Sequence, residues 1–345
     1  MKRLALTVLG CALLFCGCAE VGTISSTVTD ILPASQTSIA ESSSQAKSSP
    51  TQSAPSVNVS SQNAPSPSTP SVALTVSSDE IRPGEFLIVR VEGSGDNALW
   101  ARFSEVTSKV FELLKEDGHF IGFVPLSSTT GKTGKVQILR SQNGEYAVIA
   151  QKTIKFVKRT FERQDLTVVS GSSMAEAGGS ENLDYDKEII AQATGVSTQK
   201  LLFAGGFVMP AEGRISTQYG MRRYTNGTYS SAHSGYDIAA DEGDPVIAAG
   251  AGRVTYAGKL KFYGYTVIID HGFNIFSYYN HLSELSVETW QTVSTGEKIG
   301  EIGSTGYATG PHLHFNIKVN GVNIDPAVLI GTDDIYTQLE RMNNQ

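Results

Sequence analysis

From about residue 71 onward, short runs of β-favouring apolar residues alternate with turn signals. Between residues 71 and 159, turns are marked by the pairs Pro83-Gly84, Asp117-Gly118 and Asn143-Gly144. The apolar runs between them cover residues 72–76, 86–91, 120–124, 136–139, 146–150 and 154–157. Such spacing predicts a small antiparallel β-sandwich over residues 71–159, immunoglobulin-like in outline. Nothing in it resembles a catalytic set, so we interpret it as a spacer or a binding module.

A second β-rich region covers residues 206–330, where the predicted strands are many and short. Glycines punctuate two hairpin-like segments, at residues 249–254 and 296–303, as expected where a chain turns tightly. The predicted fold class is therefore all-β, with a C-terminal antiparallel β-sheet domain preceded by the sandwich. A groove floored by such a sheet would suit an extended peptide. Residues 331–345 are interpreted as a C-terminal tail.

Two polar stretches flank the predicted sandwich. Residues 19–70 are dominated by Ser, Thr, Ala, Gln and Pro, a composition that cannot bury enough apolar area to fold. We interpret this stretch as a disordered tether with an end-to-end distance on the order of 40 Å. Residues 160–205 form a polar connecting segment, for which we predict one short helix near residues 184–193.

The N-terminus has the pattern of an export signal. Lys2 and Arg3 precede an apolar stretch over residues 4–15, which is too short to span a bilayer as a stable anchor. The run that ends at Cys18 resembles a bacterial lipobox, so residues 1–18 are predicted to be a signal peptide and Cys18 the lipid-modified residue. Cys11 also follows a glycine, but a signal ending there would leave very little apolar length. Plain secretion with cleavage near Cys18 is the alternative.

Charge and cysteine content narrow the choice of partners and ligands. The formal net charge is -7 at pH 7 and basic residues form no cluster, which argues against nucleic acid as a partner. Cleavage at Cys18 would leave a mature chain with no second cysteine, and therefore without an intrachain disulfide. Metal ligands in that chain would have to be imidazoles and oxygens.

Two histidines separated by one residue form the most informative chemical pattern. His312 and His314 lie in a β-favouring context, where residues two apart share one face of a sheet. Upstream, His233 opens a segment that ends at Asp237, whose carboxylate is the other hard donor that zinc accepts beside imidazole. Together with one histidine of the pair, these residues would supply three protein ligands, as in a catalytic zinc site with an open fourth position.

Over residues 207–329, the chain resembles the lysostaphin-type, LytM-like zinc metallopeptidases, which cut the cross-bridges and stem peptides of peptidoglycan. The resemblance covers about two fifths of the chain. It rests on motifs that follow one another in the family's order, at residues 213–223, 233–239, 243–249, 279–283, 303–306, 310–315, 320–321 and 325–326.

This resemblance implies a role for each residue that matches the motifs. His233, Asp237 and His314 become the zinc ligands, and His281 and His312 become catalytic residues beside the metal. In the family's reaction, zinc lowers the pKa of its water and polarises the scissile carbonyl, while one histidine acts as general base and the other orients the water or stabilises the oxyanion. Which histidine is the base is left open.

Three further side chains near the first ligand are candidates for substrate contacts. Tyr229 is predicted to donate its hydroxyl to the developing oxyanion, with a groove-lining or half-buried tyrosine as the alternative. Arg222 and Arg223 are candidates for binding the carboxylates of an acidic stem peptide, and packing against a sheet edge is the alternative for either of them.

The complete pattern predicts a zinc-dependent metalloendopeptidase that acts on peptidoglycan. We expect it to be exported and lipid-anchored at the cell envelope, with peptidoglycan, the membrane and division or wall-synthesis proteins as partners. A non-catalytic lipoprotein that binds the cell wall or activates another hydrolase is the alternative, and a zinc-buffering or solute-binding lipoprotein is a further one.

Two questions about the predicted enzyme are left open by the sequence. The bond cut could be a glycine bridge, a direct D-alanyl cross-link or a terminal D-alanine, and a lipoprotein of a diderm envelope favours the direct cross-link. Residues 160–205 precede the catalytic domain directly, so they are either a plain linker or a segment that covers the active-site groove.

Overall fold

The computed structural model describes residues 72–343, apart from positions 96, 107–108, 128–131 and 333–334. The predicted signal peptide, Cys18 and the predicted tether lie outside the described residues. Within the described part of the chain, no helix is both long and apolar enough to cross a membrane.

Eight strands build the first β-rich region. They form one hydrogen-bonded path in the order β1-β3-β6-β5-β4-β7-β8-β2, and neighbours are antiparallel except for the parallel pair β2 and β8. Leu99, Phe103 and Ile138 are fully buried in the core that these strands enclose. The immunoglobulin-like outline stays a prediction. The strands are β1 (Ala73–Val76), β2 (Glu80–Ile81), β3 (Glu85–Glu92), β4 (Leu99–Phe103), β5 (Phe111–Glu116), β6 (His119–Leu126), β7 (Thr133–Gln142) and β8 (Glu145–Phe156).

Strands β3 and β6 are buried on both faces, which explains why their apolar residues run without alternation. Leu87 lies in the core of the first region, whereas its neighbour Phe86 belongs to the core of the C-terminal domain. Phe123 of β6 packs edge-on against Phe273, with ring centroids 5.6 Å apart. The first region is thus packed directly against the C-terminal domain.

The connecting segment is more structured than its polar composition suggests. It contains β9 (Arg163–Leu166), α1 (Ser173–Ala177) and α2 (Ser180–Ala193). Helix α2 begins four residues before the predicted helix and ends at the same residue. Ile190 and Ala193 of α2 pack against a small cluster formed by Ile268, Phe276 and Tyr278. This helix therefore covers one face of the C-terminal sheet.

The C-terminal domain is β-rich, as predicted. Its main antiparallel sheet has the order β10-β13-β21-β17-β16-β15-β19, with β22 paired to β21, and smaller sheets have the orders β14-β20-β18 and β12-β11-β9. The strands are β10 (Arg214–Thr217), β11 (Arg222–Thr225), β12 (Thr228–Ala232), β13 (Tyr236–Ala239), β14 (Pro245–Ile247), β15 (Gly252–Leu260), β16 (Gly264–Asp270), β17 (Ile275–Leu282), β18 (Glu284–Leu285), β19 (Thr292–Val293), β20 (Lys298–Glu301), β21 (Leu313–Val319) and β22 (Val322–Ile324).

Two elements extend this domain beyond the predicted strands. Strand β9 of the connecting segment pairs in parallel with β11. After a short 3-10 helix (Pro326–Val328), the chain forms α3 (Ile335–Asn343), within the stretch interpreted as a tail. Ile335, Leu339 and Met342 of α3 join the core of the domain.

Candidate metal centre

The register of the main sheet brings two predicted ligands face to face. Asp237 of β13 lies directly opposite His314 of β21. His233 precedes β13 by a tight turn that contains Gly235, where an added Cβ would lie 2.0 Å from the carbonyl oxygen of Phe315. Glycine is required at position 235 because the backbone of the turn approaches that of β21 so closely. The turn thereby places the side chain of His233 next to that of Asp237.

Three potential ligand atoms converge at this point. His233 Nε2 lies 2.9 Å from Asp237 Oδ1 and 3.0 Å from His314 Nδ1, while His314 Nδ1 lies 2.7 Å from Asp237 Oδ1. All three residues are buried. Ligands of a tetrahedral zinc ion with bonds of about 2.0–2.1 Å stand about 3.3 Å apart, so a small outward movement would fit the ion.

Each ring has a hydrogen-bond partner on its far side, and for His233 this partner fixes the lone pair that faces the centre. His233 Nδ1 lies 2.9 Å from the carbonyl oxygen of Gln218, which can only accept a hydrogen bond, so this nitrogen carries the proton. A neutral ring then has its Nε2 lone pair directed at Asp237. His314 Nε2 lies 3.0 Å from Ser234 Oγ. Such outer partners are typical of metal-binding histidines.

Burial and charge favour the ligand forms of these groups. Burial would raise the pKa of Asp237, but contacts with His233 and His314 hold it well below its usual range. Burial lowers the pKa of His314 to about 4 despite the neighbouring carboxylate of Asp237. At neutral pH the centre therefore offers one carboxylate and neutral imidazole, a donor set that fits a zinc ion.

The two further predicted histidines lie beside the three ligands. The ring centroids of His281 and His312 are 4.9 Å apart, and His312 Nε2 lies 3.9 Å from Asp237 Oδ1. His281 Nδ1 donates to the carbonyl oxygen of Thr305 and His312 Nδ1 to that of Gly310, each at 2.8 Å. In the neutral rings, both Nε2 atoms therefore carry lone pairs.

His281 reaches the centre through a distorted part of its strand. It has φ 65, in the left-handed region that is uncommon for residues other than glycine, and the β16–β17 register shifts next to it, between Tyr265 and Val267. Such a bulge re-aims a side chain. The pKa of His281 is lowered to about 3, mainly by burial and to a smaller extent by the neighbouring imidazoles of His312 and His314.

Arg223 contacts the candidate centre directly. Its guanidinium pairs with Asp237 Oδ2, and its Nε donates to Gln164 Oε1 at 2.8 Å. Gln164 in turn donates to Thr217 Oγ1 at 3.0 Å. Arg223 thus orients the Asp237 carboxylate and leaves Oδ1 to the histidines. Arg222 instead donates to the hydroxyl of Tyr224 at 2.9 Å.

A cleft of about 850 Å³ opens above the centre. Its lining includes Ser230, Ser231 and Ala232 of β12, and the aromatic residues Phe262, Tyr263 and Tyr307. The connecting segment contributes to the lining with Gln164, Leu166, Gly178 and Leu183. Residues 160–205 therefore border the groove, and their side chains line it.

Tyr229 does not lie among the residues that line the cleft. Its ring packs edge-on against Tyr224, its partner across the β11–β12 ribbon, with centroids 5.6 Å apart. Since side chains alternate between the faces of a strand, this pairing places Tyr229 on the face away from the cleft-lining Arg223 and Thr225. The oxyanion role of Tyr229 stays a prediction.

Some residues of the site escaped sequence reasoning. Ser234 follows His233 directly in the first ligand motif, and this position in the sequence could have identified it as part of the site. Gln164 and Leu183 had no such signal, because they belong to a polar segment far from the motifs. The predicted roles of His233, Asp237, His314, His281 and His312 stay predictions, although the structure brings these five residues together.

Fold and site define a class of protein: a β-sheet domain with a His-Asp-His cluster that could hold a metal ion and two accompanying histidines in an open cleft. Residues 231–326 match the model of peptidase family M23. The chain therefore carries a lysostaphin-type domain of peptidase family M23.

Individual relatives agree with this family. A DD-carboxypeptidase/endopeptidase of Neisseria meningitidis, Mpg, is 33% identical over 159 residues, which are 46% of this chain and 34% of that protein. A lipoprotein NlpD/LppB homolog of Pseudomonas aeruginosa is 41% identical over 123 residues, 35% of this chain and 39% of that protein. The matches thus span only about a third to two fifths of these relatives.

A solved structure supports the fold over a longer part of the chain. The crystal structure of a candidate M23 peptidase from Pseudomonas aeruginosa superposes with a TM-score of 0.50 at 24% identity. It covers 73% of this chain and 95% of that one. The β-rich fold is therefore shared beyond the family domain itself.

Proposed function

We propose that this chain is a zinc-dependent endopeptidase that hydrolyses peptide bonds in the cross-links or stem peptides of peptidoglycan. The observation that carries the proposal is the convergence of His233, Asp237 and His314 beside two further imidazoles in one cleft. Zinc bound by these three residues would polarise the scissile carbonyl and lower the pKa of water.

The chain's own residues supply the proton transfers. His312 acts as the general base, because its Nε2 lone pair is free and the Asp237 carboxylate 3.9 Å away stabilises the imidazolium that forms. The hydrogen bond from His312 Nδ1 to Gly310 keeps the ring oriented while the proton passes on to the leaving amine. His281, which is 5% exposed, is costlier to protonate and orients the reacting groups.

An extended peptide fits the polar side of the cleft. Among the described strands, β12 pairs with β11 alone, so its other edge presents backbone groups along the cleft. Peptides often bind by adding a strand to such an edge. Because β12 leads directly into His233, a peptide bound there would pass the metal centre.

The relatives support the substrate and the location. The Neisseria relative is named for DD-carboxypeptidase and endopeptidase activities, which favours a D-alanyl bond of the wall peptide over a glycine bridge. The Pseudomonas relative is named a lipoprotein, which supports export and lipid anchoring of this chain at the cell envelope, with Cys18 as the anchor. Division or wall-synthesis proteins are the proposed partners.

The test is release of fragments from purified peptidoglycan by the zinc-loaded full-length chain, resolved by mass spectrometry. Loss of an outer-shell partner costs about 10–100-fold, so removal of a ligand in His314→Ala is expected to cost more than about a hundredfold. His119→Ala, in the sandwich, is the matched control and should keep wild-type activity. If wild type binds zinc and wall without releasing peptides, the non-catalytic, hydrolase-activating alternative replaces the proposal.

A further inference from the structure

Helix α2 buries one carboxylate behind the wall of the cleft. Asp186 has no exposed surface, and its oxygens accept three backbone N–H groups, from Lys261 at 2.8 Å, Phe262 at 2.7 Å and Tyr263 at 3.2 Å. A buried carboxylate is tolerated where such charge-assisted bonds satisfy it. The loop between β15 and β16 is therefore held from outside by a helix that precedes the family domain.

The loop held by Asp186 forms an aromatic wall. Phe262 and Tyr263 line the cleft. Phe262 stacks on Tyr307 with ring centroids 4.8 Å apart and an interplanar angle of 14°, and Tyr307 N donates to the carbonyl oxygen of Phe262 at 2.7 Å. Leu183, one helical turn before Asp186, lines the cleft as well. These lining residues are aromatic or aliphatic, whereas β12 lines the cleft with Ser230, Ser231 and Ala232.

A separate bond links the same loop to a predicted catalytic histidine. His281 N donates to the carbonyl oxygen of Tyr263 at 2.9 Å. This bond leaves from the end of the loop opposite to Lys261. Tyr263 N also donates to Asp186, but at 3.2 Å, the longest of the three distances, so we expect loss of the Asp186 contacts to displace Phe262 and its stack on Tyr307 more than His281.

We propose that Asp186 is a positioning residue for substrate recognition, which holds Phe262 and Tyr307 as an aromatic wall that binds the small apolar side chains of the peptide substrate. The proposal rests on the proposed peptidase function. A peptide extended along β12 directs alternate side chains to opposite faces, and Phe262 and Tyr307 line the same cleft as β12. Aromatic faces bury methyl groups without requiring polar partners.

The test compares Asp186→Asn with wild type in the zinc-loaded full-length chain. The amide of this variant would replace one acceptor oxygen by an N–H donor that faces a backbone N–H. The cost of such an unsatisfied buried donor corresponds to about a tenfold change in the equilibrium between the held and the displaced loop. We expect KM for a soluble cross-linked muropeptide to rise about tenfold while kcat changes less than about threefold. Asp184→Asn is the matched control on the same helix, since Asp184 is exposed and pairs with Lys187 at 2.8 Å.

Binding of a synthetic stem tetrapeptide, measured by calorimetry on the same proteins, separates this inference from the proposed function. If wild type binds the peptide but releases nothing from the wall, the peptidase proposal fails, and the Kd of Asp186→Asn alone decides the inference. Unchanged KM and Kd would overturn it. So would losses of kcat, affinity and thermal midpoint that merely track the unfolded fraction.

A second variant decides the matter if Asp186→Asn does not fold. Phe262→Leu keeps the backbone bonds to Asp186 and removes the aromatic stack. We expect KM to rise about fivefold with kcat nearly unchanged, because the wall contributes binding and no proton transfer. An unchanged KM in Phe262→Leu would refute the aromatic wall.

Discussion

His271 should make the stability of the fold depend on pH in a measurable way. Its ring is fully buried, and Nδ1 donates to the carbonyl oxygen of Ala251 at 2.8 Å. Its other nitrogen, Nε2, accepts from Ser277 Oγ at 2.7 Å. The neutral ring is thus fully hydrogen-bonded, and burial lowers the pKa of His271 to about 4 despite nearby Asp270.

The sign and size of the effect follow from linkage. An unfolded histidine has a pKa of about 6.5, so the unfolded chain takes up the proton first as the pH falls. Stability is therefore unaffected above about pH 6.5 and decreases as the pH falls from there towards 4. With these values, His271 alone should cost about 2 kcal/mol of unfolding free energy between pH 7.5 and pH 5.

The assay is urea unfolding of the zinc-free protein at both pH values. His271→Gln should be less stable at pH 7.5 by about 1–3 kcal/mol, because buried partners lose their bonds, but its stability should fall by about 2 kcal/mol less than that of wild type on going to pH 5. His281 and His314 titrate in both proteins and cancel. Equal losses in wild type and His271→Gln would refute the reasoning.

Three further predictions concern the site. Tyr229→Phe should change peptide release less than about twofold, since its hydroxyl lies outside the cleft; loss of an oxyanion donor would instead cost about 10²–10³. Gly235→Ala should lower the unfolding free energy by about 3 kcal/mol, because its Cβ would lie 2.0 Å from a carbonyl oxygen. Gly310→Ala is the control, because its Cβ meets nothing within 4 Å. Its unfolding free energy in denaturant titrations should differ from that of wild type by less than about 0.5 kcal/mol. Free zinc at 100 times its Kd should stabilise wild type by about 2.7 kcal/mol in thermal unfolding, and His314→Ala far less.

The candidate metal centre could be predicted from the sequence because its signals are local. His312 and His314 alternate with Leu313, which is buried in the domain core, and this period-two pattern places both imidazoles on one face. The turn at Gly235 joins His233 to Asp237 within five residues. Motifs of this kind keep their geometry as long as the sheet register is kept. The β-rich class and the clustering of the five residues could therefore be predicted from the sequence.

Other features could not be predicted because they depend on contacts between distant segments. The parallel pairing of β9 with β11 leaves no hydrophobic pattern in a four-residue polar strand. Asp186 looks like any exposed helical carboxylate in the sequence, yet the fold buries it against a loop 75 residues away. The side chain of Tyr229 could lie on either face of the exposed β11–β12 ribbon. A register shift between Arg223 and Tyr224 helps to determine which face it occupies.

The cleft therefore includes residues that lie outside the family match. Residues 231–326 contain His233, Asp237 and His314, but Gln164 anchors the arginine that pairs with Asp237, and Asp186 binds the loop that carries Phe262. The Arg159 guanidinium, which follows β8, pairs with Asp325 at the end of the motif. These contacts join three successive regions of the chain, and the connecting segment and the C-terminal domain together line the cleft.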